Sequence, residues 1–317
     1  MPKILHTARY TGIPWEILKS VVPNGFIVET LDELSYDCLK RQAVDADYLL
    51  VSGRLPIDEG VLSVAPKLKM IQRTGVGTEM LDMEAINRHG IPVFINKGVN
   101  ARSVAEHTLT LILCCLKNIP QIDKQVKNGV WKKQQTGVTC NELFGKYVGL
   151  VGLGAIGKQV ASYLNVFGAK VLYTDVYRAD SEIEKTLSLT YVPSFEELLP
   201  KLDILSFHCP LTKDNHDMLN AQTIDLMKQG TIVVNTARGK LIEPESLYAA
   251  LNDGKLRAAA LDVHYEEPIK QDYIFLKLDN VILTPHIGGL SYEAFCKMME
   301  EAVRNIIHFD KKRMKSE

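Results

Sequence analysis

A glycine turn and a few charged side chains carry the chemistry available to this sequence. The turn is Gly152-Leu153-Gly154-Ala155-Ile156-Gly157, entered from the apolar run Tyr147–Val151 and left through the helical pattern Lys158–Asn165. Gly152 suits a tight turn, Gly154 lets the backbone approach a pyrophosphate, and Gly157 permits close helix–strand packing. The helix that follows offers free N–H groups and positive partial charge to phosphates. Asp175 ends the next apolar run, Lys170–Asp175. A carboxylate there accepts from the hydroxyls of an adenosine ribose and repels the 2′-phosphate of NADP, so the expected cofactor is NAD. Arg178 stands close enough in sequence to soften that preference.

Three further strand ends carry residues that are costly without a purpose. Arg238 follows IVVNTA, Asp262 ends AAALD with Glu267 close behind, and His286 follows VILTP. Taken singly, each reads most simply as a surface salt bridge or a satisfied polar group. Taken together they fit one site, because ligands of open α/β sheets sit outside the carboxyl ends of the strands. Reducing a 2-oxo acid requires a proton donor for the carbonyl oxygen, a cation for the carboxylate, and a hydride from a nicotinamide. His286 can hold the proton, and a neighbouring Glu267 carboxylate would raise its pKa and fix its tautomer. Arg238 offers a planar fork suited to a carboxylate and a carbonyl.

The elements that must position these residues are legible as alternating patterns. Short β-branched runs predict strands at Lys3–Thr7, Tyr48–Ser52, Met70–Thr74 and Val93–Asn96, and the runs that are apolar throughout, such as IVVNT and AAALDV, suit parallel strands buried on both faces. A second set is predicted at Tyr147–Gly152, Lys170–Asp175, Ile204–Cys209, Thr231–Thr236, Ala258–Val263 and Val281–Pro285. Helix-length stretches separate them, with start signals at Ser194 and Asn220. Alternating βαβ is the signature of doubly wound α/β sheets, and two strand groups imply two of them. The break falls near Lys97–Asn100, before a helical stretch from Ser103 to Leu116 in which Ser103 and Glu106 are spaced as a capping box. A last helix, roughly Ser291–Phe309, is long enough to return to the first domain. The expected division is residues 1–99 plus 290–317 for one domain and 100–289 for the other.

Composition narrows the class. The 317 residues are 46% hydrophobic and 24% charged, as in an ordinary globular protein. With 37 Lys and Arg against 38 Asp and Glu, no basic excess points to a nucleic-acid partner. The basic run Lys311–Lys315 reads as a solvated helix end. The most apolar stretch, Thr108–Leu116, is far short of the ~20 residues that span a bilayer. The N-terminus lacks the apolar stretch of a secretory signal, so a cytoplasmic protein without a membrane partner is expected. Six cysteines show no metal-ligand spacing and are expected to be reduced thiols, with no metal bound.

The motifs as a set resemble the D-isomer-specific 2-hydroxyacid dehydrogenase family, the branch of phosphoglycerate dehydrogenases and of glyoxylate and hydroxypyruvate reductases. They are RTGVG at 73–77, SVAEHT at 103–108, VGLGAIG at 151–157, HCPLT at 208–212, NTARG at 235–239, ALDVHYEEP at 260–268 and TPHIGG at 284–289. The resemblance implies a flavodoxin-like substrate domain made from both chain ends, a central Rossmann domain that binds NAD, and a homodimer joined through the nucleotide domain. It puts the family's catalytic arginine, glutamate and histidine on Arg238, Glu267 and His286. Cofactor contacts fall on Gly152, Gly154, Ala155, Ile156, Gly157, Asp175, Cys209, Pro210, Thr236, Ala237, Asp262 and Gly288, with Asp262 meeting the nicotinamide carboxamide. The backbone of Gly75, Val76 and Gly77 is implied to bind the substrate carboxylate, and Arg73 and Asn100 match the phosphoglycerate dehydrogenase branch; Arg54, in a segment that departs from that branch, is read as a second cation at the same mouth. Trp131 resembles a residue that some members pass to the neighbouring subunit. The expected substrate is a small polar 2-oxo acid: hydroxypyruvate, glyoxylate or 3-phosphohydroxypyruvate. The other reading is an NAD(H)-sensing, corepressor-like interaction protein that keeps the same triad.

Overall fold

The structure, a computed structural model, describes residues 1–314, so Lys315 of the basic run lies outside the described residues. The chain forms two compact units, one of Met1–Asn100 with the C-terminal helix from Tyr292, the other of Ala101–Ser291. The first holds a parallel sheet of β1 (Lys3–His6), β2 (Ile27–Thr30), β3 (Tyr48–Val51), β4 (Met70–Arg73) and β5 (Val93–Ile95), in the order β2-β1-β3-β4-β5. That is the flavodoxin-like winding. Side chains alternate across it with the period of two that a strand imposes. Ile4, Tyr48, Leu50 and Met70 face one core, and Leu5, Leu49, Val51 and Ile71 face the other. The first of these cores is closed by Met298, Met299, Ala302, Val303 and Ile306 of the helix Tyr292–Arg313. The buried Tyr48 hydroxyl donates to Asp310 of that helix at 2.5 Å, which fixes the end of the chain to its beginning.

The second unit holds β6 (Tyr147–Val151), β7 (Lys170–Thr174), β8 (Leu189–Tyr191), β9 (Ile204–Phe207), β10 (Thr231–Asn235), β11 (Leu256–Leu261) and β12 (Val281–Leu283). Their order is β12-β11-β10-β9-β6-β7-β8, all parallel. This is the Rossmann winding with one strand added at the β11 edge, and it reverses direction between β6 and β9. Strands β9 (ILSF) and β10 (TIVVN) are buried at every position, which is why they are mostly apolar and do not alternate with polar residues.

Two strands are missing from the sequence reading, β2 (IVET) and β8 (LTY). Both are edge strands with one neighbour and little burial, so neither needs a wholly apolar run. The expected capping box at Ser103 is corrected by the structure. The helix there runs Ala101–Lys117, so Ser103 lies inside it, and its hydroxyl donates to the Gly288 carbonyl at 2.7 Å. Helix starts at Ser194 and Asn220 are capped as expected, Ser194 accepting from the Glu197 amide and Asn220 from those of Gln222 and Thr223.

Candidate active site

The glycine turn begins where β6 ends, at the reversal point of the second sheet. Gly152 has φ 98°, and a Cβ on it would stand 2.8 Å from the Cys209 amide nitrogen and the His208 carbonyl carbon. Only glycine allows that approach of two strand ends. Nothing lies within 4 Å of the Cβ position at Gly154, so the space over the turn is open. The helix Ala155–Val166 starts immediately after and directs its first amides there. Gly157, inside its first turn, packs against the Gly152 carbonyl oxygen. Asp175, just past β7, accepts from the Leu153 amide at 2.7 Å through Oδ2 and from the Tyr177 amide at 3.2 Å through Oδ1. The turn, the helix start and the strand-end carboxylate together fit a dinucleotide. Cys209 is half-buried beside this turn, and burial pushes its thiol up to about 11, so it stays protonated and serves as packing. Pro210 follows it on the surface.

The charged strand ends come together in the same unit. His286 Nδ1 lies 2.7 Å from Glu267 Oε2, so Nδ1 carries the proton given to the carboxylate and Nε2 is the free ring nitrogen. The other oxygen of Glu267 accepts from the His264 amide at 2.9 Å, which fixes the carboxylate from both sides. The hydrogen bond to Glu267 raises the His286 pKa; desolvation and the Arg238 charge oppose it but lose. Burial pushes Glu267 up, but its bonds from His286 and the His264 amide outweigh that and leave it lowered. His286 has φ 56°, a left-handed backbone that a residue with a side chain adopts at a cost and that clusters at functional sites. Arg238 follows β10, and its guanidinium donates to the Ala237 carbonyl at 2.7 Å. Its turn is shaped by the buried Asn235, which accepts from the Ala237 amide at 3.0 Å and donates to the Arg238 carbonyl at 2.8 Å. At Gly239 a Cβ would collide with the His264 carbonyl, so a bare backbone lets the Arg238 turn lie against the Glu267 loop.

A further layer holds these groups in place. Asp262, 2% exposed, accepts from Thr284 Oγ1 at 2.6 Å, the Ile287 amide at 2.9 Å and the Gly288 amide at 2.8 Å. His107 Nε2 approaches the same carboxylate at 3.3 Å and Thr284 Oγ1 at 3.2 Å. Burial pushes Asp262 up, but these donors bring it down to about 2. Ser103 grips the far end of the loop, donating to Gly288 and accepting from the Ser291 amide at 3.3 Å. Buried His264 closes the near end, with Nε2 2.9 Å from the Thr284 carbonyl. Thr236 and Thr108 pair through their hydroxyls at 2.9 Å, tying the strand end beside Ala237 to the same helix. Sequence reasoning left Ser103, His107, Asn235 and His264 without a role in the site. Their signal was present in SVAEHT, NTARG and ALDVHYEEP, as polar residues among apolar ones.

The remaining expected residues lie in the first unit. Arg73 at the end of β4 donates to the Gly77 carbonyl at 2.8 Å, the Val51 carbonyl at 3.1 Å and Thr74 Oγ1 at 3.2 Å. It braces the 75–77 turn, with Gly75 and Gly77 half-buried and Val76 exposed. Arg54 is exposed and Asn100 is half-buried.

Residues 109–288 match the model of the D-isomer specific 2-hydroxyacid dehydrogenase family, NAD binding domain. The chain belongs to this family. NAD(H) is its cofactor, and the exchange of hydride between 2-hydroxy and 2-oxo acids is the family's chemistry. Among curated relatives, a D-3-phosphoglycerate dehydrogenase of Methanocaldococcus jannaschii is 40% identical over 268 residues, 84% of this chain and 50% of that protein. A glyoxylate reductase of Thermofilum pendens is 38% identical over 271 residues, 85% of this chain and 80% of that protein. The chain thus spans about half the length of the phosphoglycerate dehydrogenase and four fifths of the reductase. Among solved structures, the TT0316 protein from Thermus thermophilus superposes with a TM-score of 0.88 at 32% identity, covering 98% of this chain and 97% of that one. Across the described residues of this dehydrogenase-family chain, no group of three or more His, Cys, Asp or Glu is placed to hold a metal, and no helix is long and apolar enough to cross a membrane.

Proposed function

We propose that this chain reduces a small polar 2-oxo acid to its D-2-hydroxy acid, with His286 as the acid, Glu267 as its partner and Arg238 as the cation for substrate. The observation that carries the reading is the 2.7 Å bond between His286 and Glu267, in the unit whose sheet also opens with the glycine turn. Bound NADH supplies the hydride. Glu267 keeps His286 protonated and holds its ring so that Nε2 faces outward as the donor to the carbonyl oxygen. Arg238 neutralises the substrate carboxylate and polarises the carbonyl, so negative charge developing on oxygen meets a fixed cation. Asp262 acts chiefly by fixing the 284–288 loop beneath His286, and by presenting that loop to the nicotinamide carboxamide. The amides of Gly75, Val76 and Gly77 are assigned to the substrate carboxylate by likeness to the family, with Arg73 shaping their turn and Arg54 and Asn100 beside it. Likeness to a D-3-phosphoglycerate dehydrogenase and to a glyoxylate reductase favours glyoxylate and 3-phosphohydroxypyruvate, with hydroxypyruvate between them in size.

Steady-state reduction of glyoxylate, hydroxypyruvate, 3-phosphohydroxypyruvate and pyruvate by NADH tests the proposal. Turnover is expected with at least one of the first three, ahead of branched apolar 2-oxo acids. Tight NADH binding without turnover on any of them would favour the NAD(H)-sensing reading instead. NADH is expected to outcompete NADPH, and Asp175→Ala to narrow the gap chiefly by weakening NADH. Equal kcat/KM for the two cofactors in the parent would refute the role given to Asp175.

A further inference from the structure

The strand end that carries Asp175 also carries a cation, and the two point to opposite sides of β7. The glycine turn follows β6 on one side of β7, and β8 lies on the other. Asp175 reaches to the β6 side, where it accepts from Leu153 in the turn. Arg178 reaches to the β8 side. Its Nε and Nη2 each donate to Glu184 at 2.9 Å, one to each carboxylate oxygen, and its guanidinium lies 5.2 Å over the ring of Tyr191 at the end of β8. Glu184 sits on the short helix Ser181–Thr186 and is itself fixed, because the Tyr173 hydroxyl donates to it at 2.7 Å. That hydroxyl in turn accepts from the Ala179 amide at 2.9 Å, closing the chain of bonds around the 175–184 loop. The Glu184 side chain is only 13% exposed against 63% for Arg178, so the anion is the anchored member of the pair. The bonds from Arg178 and Tyr173 hold the Glu184 carboxyl down to about 2.

Arginine is the side chain that accommodates a 2′-phosphate beside such a strand end, through the planar fork that matches phosphate oxygens. Here that fork is already matched by a carboxylate. We propose that Glu184 is a coenzyme-selectivity residue: by engaging the guanidinium of Arg178 it withholds from NADPH the cation that would otherwise offset the repulsion by Asp175. Selectivity for NADH is then set in two steps. Asp175 repels the extra phosphate, and Glu184 removes a nearby compensating charge. The inference rests on the reading of Asp175 as the adenosine ribose site.

Titrating the intact protein with NADH and with NADPH by nicotinamide fluorescence tests this without knowledge of the substrate. Glu184→Gln is expected to tighten NADPH by ~10-fold, the scale of one charge-assisted contact, while changing NADH far less. The double variant Glu184→Gln with Arg178→Ala should lose that gain, and the gain should shrink as salt is raised. In that double variant the net-neutral ion pair is replaced by two neutral side chains, so NADPH binding should return to that of the parent. Weaker NADPH binding in the double variant than in the parent would mean that the arginine already meets the phosphate, and would overturn the proposal. An unchanged NADPH affinity in a folded Glu184→Gln protein, or a gain that survives in the double variant, would overturn it equally. A parent that binds neither nucleotide would instead bring down the reading of the ribose site itself.

Discussion

At the scale of single residues, the pair His286–Glu267 makes the sharpest claim. The folded-state pKa of His286 is raised, so the imidazolium persists to higher pH than in free histidine. Reduction consumes that proton, so its rate should hold on the acid side and fall as pH rises through the raised value. Glu267→Gln removes the charged acceptor, the pKa drops, and the high-pH limb of reduction should move to lower pH, with a smaller effect where His286 is still protonated. A pH–rate profile that is superimposable on the parent's would show that the pairing does not tune the acid. His286→Ala should lower kcat for reduction by ~10²–10⁴, the usual worth of a positioned acid. Arg238→Ala should affect KM and kcat together, since the same guanidinium would grip the carboxylate and polarise the carbonyl. NADH affinity, read by fluorescence titration, should survive all three changes. The nucleotide is expected to be held by the 152–157 turn and Asp175 rather than by the triad.

At the scale of elements, the helix Ala101–Lys117 serves as a clamp for the 284–291 loop. Ser103 and His107 stand one turn apart on the same face, one bonded to Gly288 and Ser291, the other reaching Asp262 and Thr284. His286 lies between those two anchor points and holds a costly backbone conformation, so the clamp is what keeps the proposed acid in place. His107→Ala should leave the helix folded by circular dichroism yet reduce kcat by about 10-fold to 10²-fold, as expected when a reacting group shifts by a fraction of an ångström. NADH binding should weaken as well, because Asp262 loses a donor. A folded His107→Ala protein with parental kcat and NADH affinity would reduce this contact to packing. The capping-box spacing at Ser103 misled the sequence reading because a serine three residues before a glutamate fits both a cap and an interior turn. What separates the two is the partner of the hydroxyl, and that partner is 185 residues away.

At the scale of the whole molecule, the second unit presents apolar side chains that a free monomer would keep from water. Trp131 is 80% exposed and Val138 84%, on the stretch between the helices that begin at Ile119 and Lys133 and just beyond. The family resemblance implies a homodimer joined through the nucleotide domain, and we propose that these two side chains belong to that contact. Light scattering after size exclusion is expected to give a dimer, and the pair Trp131→Lys and Val138→Lys should shift it toward monomer; a monomeric parent would remove the proposal. The sequence by itself determined the strands that are buried on both faces, the glycine turn and the strand-end carboxylate, because each of these depends on local pattern and on chemistry a short segment carries alone. It also determined which Arg, Glu and His stand at strand ends. The tertiary structure alone decided the edge strands β2 and β8, whose single neighbours relax the demand for apolar residues. It alone decided that Arg73 braces a turn and that Arg178 is bound to Glu184, since a cation's role is set by the acceptors that surround it. The length of the last helix already points to its return to the first domain, and the structure adds the tyrosine–aspartate bond across 262 residues that seals it. Hydrogen bonds and burial are properties of neighbours in space, and only folding chooses those neighbours.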